Sequence, residues 1–371
     1  MSSDSPDVIV VGGGIIGAAC ARALSIVGIQ TLVIDAGDRE GAATPASAGM
    51  LAPVAEARRE DPLLALCVRG RDLYGELVPE LEEETSIDVH RWTGGILQVA
   101  FTEEEAAEAK NRVAWQRQAG LHSDWLPVED VKNRFPGIAD DLFGGVLAAE
   151  DGAVEPTALH QALMKSAEMH GARLVRGQTV SAVLTERGRA TGVKTNKGST
   201  NGGAVLIAAG CWSGEIEGLP RPLSVEPVKG QMAALEKLPE EPPSIVYGFH
   251  GYVVNVGPET LIGATMEHAG FDSSVTDEGF AQVLQSASRI YPALRDRRVL
   301  RKWAGLRPGT PDGNPIIGRD AEVQNLWYAT GHGRNGILLA GLSGRIVASL
   351  YSGDEIEYDL APVDPARFWT I

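Results

Sequence analysis

The sequence predicts an α/β protein in which a Rossmann-type nucleotide-binding domain is interwoven with a second domain built on an antiparallel sheet. Three observations carry this. A β-branched apolar run, Val8-Ile9-Val10-Val11, leads straight into Gly12-Gly13-Gly14-Ile15-Ile16-Gly17 and an alanine-rich helical stretch. Buried-type strands recur near residues 31 and 205, and a glycine-rich loop with a helix returns near the C-terminus. Between Val225 and Thr265 the pattern turns to period-two segments, for which an antiparallel sheet is the simplest account.

Taken in order, Val8–Val11 is continuously apolar, as a strand covered on both faces must be. The helix expected from about Ile16 to Val27 carries Ala18, Ala19, Ala21 and Ala23, small residues that let it lie close to a sheet, and Gly28 ends it. Thr31-Leu32-Val33-Ile34 is the second strand and finishes at Asp35. Residues 60–84 and 103–118 read as helices with acidic, solvated outer faces such as Glu80 to Glu84. A helix opens at Glu155-Pro156 and closes at Gly171, and Val180 to Val193 reads as a hairpin. Val205 to Ala209 is another buried strand, ending at Gly210. Gln231–Leu235, Tyr252–Asn255 and Thr260–Gly263 are strands of the second sheet, and Gly331 to Leu350 is a loop followed by a helix.

Composition narrows the function. A chain of 371 residues has room for about two domains and a sizeable core. With 33 Lys and Arg against 49 Asp and Glu the net charge is −16, which repels nucleic acid and anionic membranes. No apolar run approaches the roughly 18 residues of a membrane span, and the N-terminus lacks the basic start of a secretory signal. Cys20, Cys67 and Cys211 form no C-x-x-C pair, which fits reduced thiols and a cytoplasmic setting. His90, His122, His160, His170, His250, His268 and His332 do not cluster at metal-ligand spacings, so no metal is expected, and no nucleophile elbow is present.

The chemistry-bearing motifs are glycine-rich. In Gly12-x-Gly14-x-x-Gly17 the glycines make a tight turn and clear the way for a pyrophosphate, while the following helix offers free N–H groups to the anion. Asp35, at the end of the next strand, suits a ribose diol and disfavours a 2′-phosphate, so NADP is set aside. FAD and NAD are not separated by this motif. The stretch Gly41 to Pro53 is poor in charge and rich in small residues, as a backbone lying against a large planar ligand requires. Arg307 and Arg334 sit in glycine-rich turns and suit a small acid or a pyrophosphate.

Together these motifs resemble the flavin-dependent D-amino-acid oxidase superfamily and, within it, the glycine oxidases of the thiamine thiazole pathway. The resemblance runs over essentially the whole chain. It is carried by the opening Val8 to Gly17, Ala48-Gly49-Met50-Leu51, Val154-Glu155-Pro156, Gly210-Cys-Trp-Ser-Gly214 and Pro227-Val-Lys-Gly230. Gly263-Ala-Thr-Met266, Trp303 to Gly309 and Gly331 to Ala340 complete it, the last two being the most specific.

The resemblance implies non-covalent FAD, since no cysteine stands near residues 303–309 to tether the flavin. It places Gly12, Gly14, Ile15, Ile16, Gly17, Asp35 and Ala36 along the adenosine and pyrophosphate, with Val180 on the adenine side. Ala43, Thr44, Ala48, Gly49 and Met50 line pyrophosphate and flavin, and His332, Gly333, Arg334, Asn335, Gly336, Ile337 and Leu338 wrap the flavin ring. Arg307 pairs with a substrate carboxylate, Tyr252 adds a hydroxyl, Arg334 lies close to flavin and substrate, and His250, Met266 and Ala52 shape the site.

The implied reaction is oxidative deamination of glycine or a small N-substituted glycine by hydride transfer to the flavin, with dioxygen as acceptor and hydrogen peroxide as product. No catalytic residue beyond the flavin is called for. Homotetramers are the implied assembly. The expected division gives residues 1–80, 145–218 and 300–371 to FAD and residues 81–144 and 219–299 to substrate. Four departures stand out: Asp35 where the family has Glu, Pro45 in place of a hydroxyl residue, Ala52 near the mouth, and Gly333 in place of an aromatic residue. Three alternatives stay open: an oxidase of a larger N-carboxymethyl amine, a D-amino acid dehydrogenase with another electron acceptor, and a flavoprotein subunit without turnover.

Overall fold

The computed structural model describes residues 5–237, 240–248 and 250–368. Two large sheets organise it. The first is six-stranded, in the order Ile316–Arg319, Leu326–Thr330, Ala204–Ile207, Val8–Val11, Thr31–Asp35, Arg173–Arg176. Its strands run parallel except the edge strand Ile316–Arg319. Val8–Val11, at its centre, is buried along its whole length, which is why its sequence does not alternate.

Helices Ile15–Ile26, Leu64–Thr85, Pro156–Met169 and Gly336–Ser352 cover one face of this sheet and share a single apolar core with it. The alanine and glycine content explains their close approach: a Cβ on Gly344 would come within 2.5 Å of the Ala19 carbonyl oxygen. The opposite face packs against a three-stranded sheet, Gly198–Asn201, Arg189–Thr195 and Val180–Glu186. The expected hairpin is thus two-thirds of that smaller sheet.

The second large sheet has eight strands, in the order Val299–Gly309, Glu226–Glu236, Glu259–Gly263, Gly251–Val254, Ile245–Gly248, Ile96–Ala100, Gly144–Ala148, Ser123–Leu126. All neighbours pair antiparallel except Ile245–Gly248 with Ile96–Ala100. Helix Asp277–Ile290, capped by the Thr276 hydroxyl accepting from Gly279 N at 3.1 Å, packs on its outer face. The inner face looks toward the first sheet.

Two boundaries of the expected division are corrected by strand pairing. Gly144–Ala148 and Val299–Gly309 both belong to the eight-stranded sheet, although residues from 145 and from 300 were expected on the nucleotide side. The reason is physical: Val299–Gly309 pairs along nearly its whole length with Glu226–Glu236, and that ladder outweighs its adjacency in sequence to the C-terminal loop. The two halves are stitched where this strand crosses the 41–53 loop. Leu306 N donates to Gly41 O at 2.8 Å and Trp303 Nε1 to Ala46 O at 3.1 Å. A Cβ on Gly305 would meet Ala46 Cβ at 2.5 Å, so only glycine permits the crossing. Helices 60–84 and 331–350 are observed as Leu64–Thr85 and Gly336–Ser352.

Candidate active site

One continuous cavity of about 1230 Å³ runs between the two sheets, larger than the roughly 300–1,000 Å³ of ordinary ligand sites. At one end lies the turn after Val8–Val11. Gly12 has φ +102°, and a Cβ there would sit 2.5 Å from the Ala208 carbonyl oxygen, so the turn requires glycine. Ile15 N donates to Thr44 Oγ1 at 3.1 Å, which ties the 41–53 loop to the first helical turn. His160 Nε2 donates to the Gly13 carbonyl at 2.6 Å and holds the turn from the side.

Asp35, at the end of Thr31–Asp35, braces the turn with both carboxylate oxygens. Its Oδ2 accepts from Gly13 N at 2.7 Å and its Oδ1 from Gly37 N at 2.8 Å. Each oxygen keeps a second lone pair for a ribose hydroxyl. Gly12, Gly14, Ile15, Ile16, Asp35, Ala36, Ala43, Thr44, Ala48, Gly49, Met50 and Val180 all line the cavity. Gly17 does not. A Cβ on it would run into the Gly12 carbonyl, so glycine here lets the helix pack closely on the turn.

In the middle of the cavity stands the N-terminus of helix Gly336–Ser352, preceded by the short turn Gly333–Asn335. His332, Gly333, Arg334, Asn335, Gly336, Ile337 and Leu338 line this part. No side chain caps the helix, so its first N–H groups face the cavity with the positive end of the dipole. His332 Nε2 lies 2.9 Å from Ser343 Oγ, while its Nδ1 is buried without a partner. Burial pushes its pKa from 6.5 down to about 3, so the imidazole is neutral at ordinary pH.

At the far end, side chains replace backbone. Arg307 pairs in register with Val228, and its guanidinium folds back over Gly230, where any Cβ would strike it. Arg307 Nη1 donates to the Thr265 carbonyl at 3.3 Å. Tyr252 and Tyr247 are direct cross-strand neighbours with ring centroids 5.5 Å apart. Burial pushes the Tyr252 hydroxyl up to about 12, so it stays a hydrogen-bond donor. His250, Met266 and Ala52 line the same region.

Sequence reasoning missed one pair here. Glu56 forms an ion pair with Arg334 (Oε2 to Nε, 2.6 Å) and accepts from the Tyr247 hydroxyl at 2.8 Å. Arg334 is therefore held by an acid at the mouth. Glu56 lies in the four-residue helix Pro53–Glu56 and Tyr247 in Ile245–Gly248, so no local spacing announced either. Arg39 over Trp212, 4.6 Å to the ring centroid, was likewise not foreseen at the nucleotide end. Among the described residues no group of His, Cys, Asp and Glu is arranged to hold a metal, and no helix is long and apolar enough to cross a membrane.

The model of the FAD dependent oxidoreductase family matches residues 7–350. A glycine oxidase of Pseudomonas aeruginosa is 34% identical over 365 residues, 98% of this chain and 99% of that protein. The bifunctional protein ThiO/ThiG of Nostoc is 37% identical over 349 residues; the match spans 93% of this chain but only 52% of that relative's length. The chain thus covers about half of such bifunctional relatives. The crystal structure of glycine oxidase from Bacillus cereus superposes with a TM-score of 0.89 at 30% identity, covering 96% of this chain and 98% of that one.

Proposed function

This chain belongs to the FAD dependent oxidoreductase family, and on that premise we propose that it oxidises glycine or a small N-substituted glycine in the cavity between its sheets. The residues fit the cofactor. The Gly12 turn leaves a cradle that a Cβ would fill, two helix N-termini face the cavity, and His332 Nδ1 is an orphaned buried atom on its wall. The Asp35 carboxylate suits the ribose, and Gly336 to Leu338 suit the electron-rich edge of the flavin. In this reading the six-stranded side holds FAD and the eight-stranded side holds the amine. Bound FAD supplies a two-electron acceptor for the hydride leaving the substrate α-carbon.

The single observation that carries the substrate assignment is Arg307. Its guanidinium lies over Gly230 beside Tyr252, ready to hold a carboxylate by charge-assisted hydrogen bonds. Its work is positioning: fixing the carboxylate aims the α-C–H bond. Burial makes the His332 imidazole too weak a base to take the amine proton and keeps Tyr252 protonated, so in this reading the amine enters unprotonated. The imine hydrolyses to glyoxylate and ammonia or a primary amine, and dioxygen accepts the two electrons to give hydrogen peroxide.

Peroxide release by the purified yellow protein in air tests this. Glycine, sarcosine, N-ethylglycine, D-alanine and D-proline form the panel. Peroxide with glycine or sarcosine is expected. Flavin reduction without peroxide would move the enzyme to another electron acceptor, and no reduction by any of them would overturn the reading.

A further inference from the structure

We propose that the cavity holds a second anion subsite, formed by Arg112 with Arg58, which receives an anionic group at the far end of the substrate's nitrogen substituent. This narrows the substrate class to N-substituted glycines with an acidic tail, and it rests on the functional reading above. Arg112 lies on helix Glu103–Gln118, which forms the distal wall of the cavity. The helix is clamped in place. Ala109 and Val113 pack on Val146, and Gln116 Nε2 donates to the carbonyls of Val54 (2.9 Å) and Ala57 (3.0 Å).

On this fixed helix Arg112 lines the cavity with 8% of its surface exposed. Its Nε is buried with no hydrogen-bond partner, and no carboxylate among the described residues pairs with it. Two carboxylates, Glu105 and Glu108, line the same wall without an ion pair to Arg112. Glu108 acts on it only through space, and Glu105 accepts from Phe101 N at 2.6 Å. Arg58, also on the cavity wall, adds a like charge. Burial first, and Arg58 second, pull the Arg112 pKa down to about 10. A desolvated cation beside a second cation, with no acid in hydrogen-bond contact, leaves donors open to an incoming anion.

Geometry sets the length of the substituent. Tyr252, Tyr247, Gln98 and Val146 are successive cross-strand neighbours on the cavity face of the large sheet. Three strand spacings of about 4.8 Å put the helix over Val146 about 14 Å from Tyr252. A carboxymethyl group on nitrogen falls short of that, whereas a spacer of several methylenes brings an acid within reach of the Arg112 guanidinium.

The test measures kcat/KM of the holoprotein with length-matched probes: N-(carboxybutyl)glycine, N-(phosphonobutyl)glycine, N-pentylglycine and N-(aminobutyl)glycine, with sarcosine as reference. We expect an anionic probe to be preferred over N-pentylglycine by about ten- to hundredfold, the factor for one charge-assisted contact. The carboxylate and phosphonate arms identify which anion the subsite takes. In Arg112→Met that preference falls toward unity while Tm does not drop, because an unpaired buried charge has been removed. A structural role would lower Tm instead and leave the preference standing. If the Met variant is not recovered folded, Arg58→Gln, at an exposed position, is expected to reduce the preference by a smaller factor. Equal rates for the anionic and pentyl probes, or preference for the aminobutyl probe, overturn the subsite. Silence on the long probes with sarcosine still active overturns the subsite and leaves the functional reading intact. Silence on sarcosine as well overturns both.

Discussion

At the nucleotide end of the cavity the protein presents backbone; at the substrate end it presents side chains. Gly12, Gly14 and the first turn of Ile15–Ile26 make a backbone surface, held in place by Gly13 N donating to Asp35 and Ile15 N to Thr44. Arg307, Tyr252, Tyr247 and the Glu56–Arg334 pair make the other end from different strands and loops. The difference teaches what each end tolerates. A backbone surface fails where an added atom would meet other backbone, as at Gly12. A side-chain surface loses one contact at a time, and so changes its substrate more readily than its cofactor.

The largest effect is expected at the backbone end. Gly12→Ala combines a φ of +102° with a Cβ 2.5 Å from a carbonyl oxygen, and the backbone strain alone is about 1–3 kcal/mol. The expected product is a colourless protein with a lowered Tm, read by flavin absorbance per chain and thermal unfolding. A yellow variant of unchanged stability would break the comparison. Next in size is Arg307→Ala, which removes a charge-assisted contact of about 1.5–3 kcal/mol and raises KM for the amino acid roughly ten- to hundredfold. Flavin content should stay the same, which is the sharpest contrast with the glycine variant.

A third effect lies between the two ends. His332 titrates near 6.5 in the unfolded chain and at about 3 when folded. As pH falls below 6.5 the unfolded state binds a proton that the folded state refuses. Stability is therefore lost on acidification, at about 1.4 kcal/mol per pH unit from this group. His332→Gln removes that increment, so the stability difference between the two proteins, read by denaturant unfolding, should move by about 2 kcal/mol in the variant's favour as pH drops from 7 to 5. A gap that does not change with pH would show that His332 is not buried neutral. The smallest effect is Glu56→Gln. Arg334 is 58% exposed and Glu56 22%, so losing their charge pairing costs about 0.2–1 kcal/mol of stability, checked by the same unfolding measurement.

The same contrast governs what was legible in the sequence. The strand, turn, helix and second strand of the nucleotide end are adjacent residues, and the structure shows Val8–Val11, Ile15–Ile26 and Thr31–Asp35 within a residue of their expected bounds. The glycine pattern does not by itself separate ligand contact from helix packing, which is the work Gly17 does against the Gly12 carbonyl. At the substrate end Arg307 and Arg334 were legible from the motifs they sit in, and Tyr252, His250 and Met266 through the resemblance. Glu56, Tyr247 and Arg112 come from separate elements, brought together by pairings such as Tyr247 with Gln98 that leave no spacing in the chain. The eight-stranded sheet was under-read for the same reason. Its strands Ile96–Ala100, Ser123–Leu126 and Gly144–Ala148 are short, and they join it across long intervals of sequence.

The most direct test of the central claim is an anaerobic titration of the holoprotein with sarcosine, following the flavin absorbance, in the wild type and in Arg307→Ala. The account predicts full bleaching of the wild-type flavin, and bleaching of the variant only at roughly ten- to hundredfold higher amine. A wild-type flavin that no amine bleaches, or two titration curves that superimpose, would contradict it.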